Sequence, residues 1–166
     1  HRPIAPGENI TYIGDDLKKG EAVITKGKRL TPYDIGLLAS IGIKKVAVCK
    51  KPKFMIISTG DEIVDIDEPQ KLGQVRDING YALSALDSKA GGEVFKKSIV
   101  KDDFAALQEA LGEGVIHSDI VLISGGSSVG TRDYTKKVIE SFEGGQVLVH
   151  GISIKPGKPT IIGRVN

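Results

Sequence analysis

The run Ile120-Val-Leu-Ile-Ser-Gly-Gly-Ser-Ser-Val-Gly-Thr-Arg-Asp133 carries the clearest chemistry in the chain. An apolar stretch of strand type ends in a glycine- and serine-rich loop, and a charged helix start follows. Glycines let backbone N–H groups turn toward an anion, serine hydroxyls add donors, and the helix contributes the positive end of its dipole. Such a loop suits a phosphate or a similar oxyanion. It differs from a Walker loop, since no Gly-Lys-Ser/Thr follows, and from the dinucleotide fingerprint G-x-G-x-x-G. An ordinary strand-to-helix turn could use the same residues.

Three more polar clusters leave the ends of expected strands: Ser58-Thr59-Gly60-Asp61-Glu62, Lys101-Asp102-Asp103 and Lys155-Pro-Gly-Lys158-Pro159. Glu62 reads either as a solvated loop carboxylate or, beside Gly60 and after an apolar strand, as a group next to a ligand. Asp102 sits where a helix N-cap belongs, so capping alone would explain it. Asp133 has the same two readings at the next helix. Lys155 and Lys158 flank a Pro-Gly turn that fixes their direction, which suits an anionic substrate or simply a surface turn. Carboxylates beside an oxyanion loop suggest Mg²⁺, which takes one or two carboxylates together with phosphate oxygens and water. The chemistry would then be phosphate-ester or nucleotide-linked, driven by positioning and electrostatics.

The elements that must place these groups follow from the patterning. Residues 1–52 form a first segment. Asp15-Asp16-Leu17 is turn-like, so Asp16 reads as a turn residue. Glu21–Thr25 and Val46–Val48 predict short strands. Between them Thr31, Pro32 and Asp34 start a helix whose inward face is Ile35, Leu38, Ala39 and Ile41, ended by Gly42. Lys50–Lys53 reads as a linker.

From residue 53 to 166 strands and helices alternate. Phe54–Ser58 is uniformly apolar, as a strand covered on both faces should be. Asn79–Ala90 predicts a helix with Ala82, Ala85, Leu86 and Ala90 inward and Gly91 as its stop. Then come a strand at Val94–Val100, a helix at Asp103–Leu111, a strand at Asp119–Ser124 and a helix at Tyr134–Phe142. Val147–Val149 and Thr160–Ile162 are expected to close the sheet. The fold class is α/β: a three-layer sandwich with a mostly parallel sheet and helices on both faces, plus a small N-terminal segment of short strands and a helix. In such a sheet the four clusters share the carboxyl edge, where ligands bind.

Composition excludes several alternatives. The 166 residues are 40% hydrophobic and 27% charged, with net charge +2, which gives no footprint for nucleic acid or a membrane surface. Aromatics at 5% supply few stacking platforms for single strands. The single cysteine, Cys49, rules out a disulfide framework or a cysteine zinc site within one chain, reads as a buried small hydrophobe, and fits a reducing cytoplasm. No apolar run approaches spanning length and no signal peptide is expected. The start His1-Arg2-Pro3 reads as a tag remnant or an expression boundary. His1, His117 and His150 lack metal-ligand spacing.

Taken together, Ser58-Thr-Gly-Asp-Glu62, Asp77-Ile-Asn79, Ser124-Gly-Gly-x-Ser-Val-Gly130 with Asp133-Tyr134, and Lys155-Pro-Gly-Lys-Pro159 resemble the molybdenum-cofactor biosynthesis domain. Gly14-Asp-Asp16-Leu, Lys19-Gly-Glu-Ala-Val, Lys28-Arg-Leu-Thr and Ala39-Ser-Ile-Gly42 narrow the resemblance to molybdopterin molybdotransferases of the MoeA type. The resemblance implies Mg²⁺-dependent insertion of molybdate into adenylylated molybdopterin, with AMP released. It implies functional roles for Asp16, Glu62, Asp102, Asp133 and Lys155, with Glu62 and Asp133 also at the metal. It implies cofactor contacts from Thr59, Gly60, Asp61, Asp77, Asn79, Ser124, Gly125, Gly126, Ser128, Gly130 and Lys158. It also implies a cytoplasmic homo-oligomer, with an adenylyltransferase as a protein partner. Members are longer, with a further domain inserted near the start and a barrel-like domain after the end. They continue into a Gly-Leu-Pro-Gly-Asn-Pro stretch beyond Asn166 and often carry a lysine where Gly151 stands. Two other functions fit the same motifs: a molybdopterin adenylyltransferase, against which the first segment argues, and a molybdopterin-binding module without turnover.

Overall fold

β1 (Lys53–Thr59) organises the larger part of the molecule. The computed structural model describes residues 3–125 and 131–166, with residues 131–133 described by backbone alone. Met55 through Thr59 are buried without a break. Such a strand is stable only between two covering layers. β1 pairs in parallel with β4 (Glu93–Val100) on one side and β5 (Ile120–Gly125) on the other, giving the order β4-β1-β5.

The connections explain the layers. The chain leaves β1 for β4 through α2 (Ile78–Ala90), then steps back across β1 to β5 through α3 (Phe104–His117). Right-handed crossovers running in opposite directions place their helices on opposite faces of the sheet. The packing agrees. Met55 and Ile57 join Leu107, Ala110 and Leu111 of α3 and Val138 and Ile139 of α4 (Thr131–Ser141) in one core cluster. Ser58, of opposite pleat, hydrogen-bonds the residue that caps α2. In α3, Leu107, Ala110, Leu111 and Gly114 make the buried i, i+3, i+4, i+7 stripe. Gly114 permits close approach, because a Cβ there would lie 2.6 Å from Val121 Cγ2.

β2 (Ile63–Val64) and β3 (Val75–Arg76) form a short parallel ladder outside the main sheet. The guanidinium of Arg76 donates to the carbonyls of Asp65, Ile66 and Glu68, tying down the intervening loop. β6 (Gln146–His150) and β7 (Ile161–Arg164) pair with each other in antiparallel fashion. They do not close the three-stranded sheet, contrary to the sequence expectation. Their alternating burial, half-buried against exposed along β6, marks a ribbon with one face against the core and the other open.

Two other expectations change in this unit. The inward face of α2 is Gly80, Leu83, Ser84 and Asp87, whereas Ala82, Ala85, Leu86 and Ala90 are exposed. The cap sets this rotation: Asp77 is anchored on β1, so the residues aligned with it turn inward, and the alanine pattern is too weakly apolar to override it. The N-cap of α3 is Asp103, whose carboxylate accepts from the N–H groups of Ala105 and Ala106, and not Asp102.

The backbone divides into compact units at Cys49/Lys50. In the first unit α1 (Pro32–Ser40) has the expected capping box between Thr31 and Asp34 and Pro at its start. Of its expected inward residues only Leu38 is buried, while Ile35, Ala39 and Ile41 are exposed. The strands expected at Glu21–Thr25 and Val46–Val48 do not form, because no neighbouring segment offers them hydrogen-bond partners. Cys49 is exposed rather than buried, in a stretch without helix or strand.

Candidate functional site

Strand order predicts where a ligand sits. The chain exits β1 toward α2 on one face and exits β5 toward α4 on the other, so the crevice opens between the carboxyl ends of β1 and β5. Neighbouring parallel strands with diverging exits are the general ligand site of open α/β sheets. The register brings Ser58 opposite Ser124 and Thr59 opposite Gly125, with Val100 of β4 on the far side of Thr59. The strand ends that begin three of the four clusters therefore meet on one rim, within two strand spacings.

Hydrogen bonds join these strand ends. Gly60 N–H donates to the carbonyl of Val100 at 3.2 Å. Asp102 N–H donates to Asp61 Oδ1 at 3.4 Å, linking the β1 and β4 loops. Ser58 Oγ donates to Asp77 Oδ1 at 2.8 Å, and Asn79 Nδ2 donates to Ser124 Oγ at 2.8 Å. Asp77 is buried and Asn79 exposed, so the first anchors α2 and the second overlies the crevice rim.

At the end of β1 the Thr59 hydroxyl is buried and has no hydrogen-bond partner among the described residues. An orphaned buried hydroxyl costs about 1–3 kcal/mol, and it is tolerated most readily where a ligand completes it. Asp61 and Glu62 are exposed beyond it, and a Cβ at Gly60 would lie 2.9 Å from Glu62 Oε2. The Gly60–Glu62 turn therefore holds the Glu62 carboxylate against bare backbone.

The fourth cluster stands on the β6–β7 connection. Lys155 and Lys158 are exposed, and Ile152 N–H donates to the Lys158 carbonyl at 3.0 Å. A groove of about 680 Å³ runs beside β5, lined by Ser124, Gly125, Thr135, Pro159 and Thr160 at its polar end. This connects the lysine turn to the β5 rim through Pro159. No hydrogen bond or ion pair joins either lysine side chain to Glu62 among the described residues. Asp133 lies in the first turn of α4, whose backbone follows the β5 loop. Its side chain, with Gly126, Ser128 and Gly130, falls outside the described residues. Asp16 is an exposed turn residue of the first unit.

Among the described residues no group of three His, Cys, Asp or Glu side chains could hold a metal ion. Mg²⁺ requires less, because it keeps water and phosphate oxygens beside one or two carboxylates. The exposed Asp61 and Glu62 and the half-buried Asp102 are hard oxygen donors suited to that mode. The capping carboxylate of Asp103 and the Arg76 clamp were not recovered from sequence. With two adjacent aspartates the sequence reading set the cap one residue early, at Asp102, and an arginine bonding only carbonyls has no motif.

Comparison with known proteins gives a consistent result. Residues 55–166 match the family described as probable molybdopterin binding domain. Residues 1–42 match the MoeA N-terminal region, domains I and II. A molybdopterin molybdenumtransferase of Haemophilus influenzae is 40% identical over 160 residues, covering 96% of this chain and 39% of the relative. One from Nostoc is 35% identical over 157 residues, covering 95% and 36%. The crystal structure of a molybdopterin biosynthesis MoeA protein from Pyrococcus horikoshii superposes with a TM-score of 0.84 at 42% identity, covering 99% of this chain and 40% of that one. The chain thus spans about two-fifths of the length of the relatives it matches.

Proposed function

We propose, since the chain belongs to the molybdopterin-binding domain family with a MoeA-type N-terminal region, that it serves molybdenum cofactor biosynthesis as part of a molybdopterin molybdotransferase. The reaction would insert molybdate into adenylylated molybdopterin and release AMP. The observation that carries this reading is the register of β1 and β5, which sets Ser58 opposite Ser124 and brings the carboxyl ends of the two parallel strands to one edge of the sheet.

In this reading the end of β5 and the loop after it (Ser124, Gly125, Gly126, Ser128, Gly130) receive the substrate's phosphate. Thr59 supplies its orphaned hydroxyl, Gly60 keeps the approach open, and Asp61 fixes the β4 loop through Asp102. Asp77 and Asn79 set the far wall. Lys155 and Lys158 contribute positive charge from the β6–β7 turn. Glu62 and Asp133 would hold Mg²⁺, which supplies charge neutralisation at phosphate oxygens. Asp102 completes the acidic set of this unit, and Asp16 of the first unit is given a functional role by the family likeness alone. The residues of this unit orient the anion, and no side chain is required as a nucleophile. We further propose a cytoplasmic homo-oligomer that receives its substrate from an adenylyltransferase. No described helix is long and apolar enough to cross a membrane.

The test is molybdate insertion by the full-length protein. Glu62→Ala is expected to lower the rate about 100-fold or more, the scale of losing one electrostatic contact at a reacting centre. Insertion at the parent rate would contradict the assignment. ATP-dependent transfer of AMP to molybdopterin would replace it with the adenylyltransferase reading.

A further inference from the structure

We propose that Asn79 is a positioning residue that commits the Ser124 hydroxyl to donating its proton to a substrate oxyanion. The proposal rests on the molybdopterin reading of the site. A serine hydroxyl has one proton and two acceptor positions. Asn79 Nδ2 donates to Ser124 Oγ at 2.8 Å, from 45 residues away in sequence. The amide therefore fills an acceptor position and offers nothing there for the hydroxyl proton to bond. The proton is left for another acceptor, and Ser124 sits one residue before the end of β5, on the crevice rim. Donation to an anion is the use that an oxyanion loop makes of such a hydroxyl.

Asn79 can do this because its own position is over-determined. It lies in the first turn of α2, and α2 begins at Asp77, whose Oδ1 accepts from Ser58 Oγ and from Gly80 N–H, each at 2.8 Å. Asp77 N–H donates to the Val64 carbonyl at 3.0 Å. A Cβ on Gly80 would fall 2.1 Å from Asp77 Oδ2, so only glycine leaves room for this cap. The resulting frame runs from β1 through the start of α2 to the end of β5. Asn79 is exposed and Ser124 half-buried, so a ligand can reach the pair.

The test is molybdopterin affinity of the full-length protein by calorimetry, with thermal unfolding of each variant alongside. Asn79→Ala is expected to weaken binding about 10-fold, and Ser124→Ala by a similar factor, the value of one hydrogen bond to a charged group. The double variant should bind no worse than Ser124→Ala, because Asn79 acts through that hydroxyl. Asn79→Asp should bind more weakly than Asn79→Ala, since its carboxylate accepts the serine proton and repels the anion. It carries the test alone if the alanine variant fails to fold. Losses that multiply in the double variant, or Asn79→Asp binding like the parent, would overturn the role of Asn79 while leaving the site reading intact. A parent protein that binds no molybdopterin would overturn the site reading and this role with it.

Discussion

Two aspartates are displaced from the ordinary carboxylate range, in opposite directions. The Lys28 ammonium, at 2.6 Å, together with the Thr31 N–H and hydroxyl, lowers Asp34 from 3.8 to about 2. A depressed carboxyl stabilises the fold above its unfolded value and loses that contribution as pH falls through the folded one. Asp34→Asn should therefore weaken hydrogen-exchange protection of α1 at neutral pH, and the difference should vanish between about pH 4 and pH 2. Desolvation raises Asp87, which is buried on the inner face of α2 with Oδ2 unpartnered among the described residues. Here the folded state holds its proton longer, so stability falls as pH rises through and above 3.8. Asp87→Asn should raise the melting temperature at pH 7 and match the parent below that value. An unchanged melting temperature at pH 7 would show the carboxyl to be solvated. Asp34 was legible in sequence as a capping residue. Asp87 was not, because an acidic residue in a weakly apolar helix reads as solvent-facing until the cap fixes which side turns inward.

The elements that carry the site are those with the strongest patterns. Phe54–Ser58 was readable as a doubly covered strand because no polar residue interrupts it, and Leu107 and Leu111 marked the inner face of α3. Leu107→Ala should destabilise by about 2–5 kcal/mol in chemical denaturation, as deletion of a buried leucine side chain does. Gly114→Ala should cost about 1–3 kcal/mol, because its Cβ would press on Val121 at 2.6 Å and on Met55 Sδ at 3.2 Å. A neutral Gly114→Ala would mean that α3 does not approach the sheet so closely. The weak patterns failed. Val147–Val149 and Thr160–Ile162 look like sheet strands by composition, but only pairing decides whether strands join a sheet or each other. Glu21–Thr25 and Val46–Val48 are apolar enough for strands yet find no partner.

At the scale of the whole chain, the sequence placed the clusters at one edge because alternating strands and helices impose it. The structure brings the β1, β4 and β5 ends together as expected. It leaves the lysine turn on a separate ribbon, joined to the rim through Pro159, since sequence spacing cannot say which way a ribbon leans. The exposed stretch 43–52, without helix or strand, follows α1 and leads into β1. Trypsin should cut first at Lys44, Lys45 or Lys50, where unstructured exposed backbone is most accessible. First cleavage inside residues 53–125 would contradict the division of the chain at Cys49/Lys50. The most direct test of the account is a crystal structure of the full-length protein soaked with molybdopterin. We predict density for the phosphate between the ends of β1 and β5, within hydrogen-bond reach of Thr59 and Ser124. Phosphate density bound elsewhere on the molecule, with that crevice empty, would contradict it.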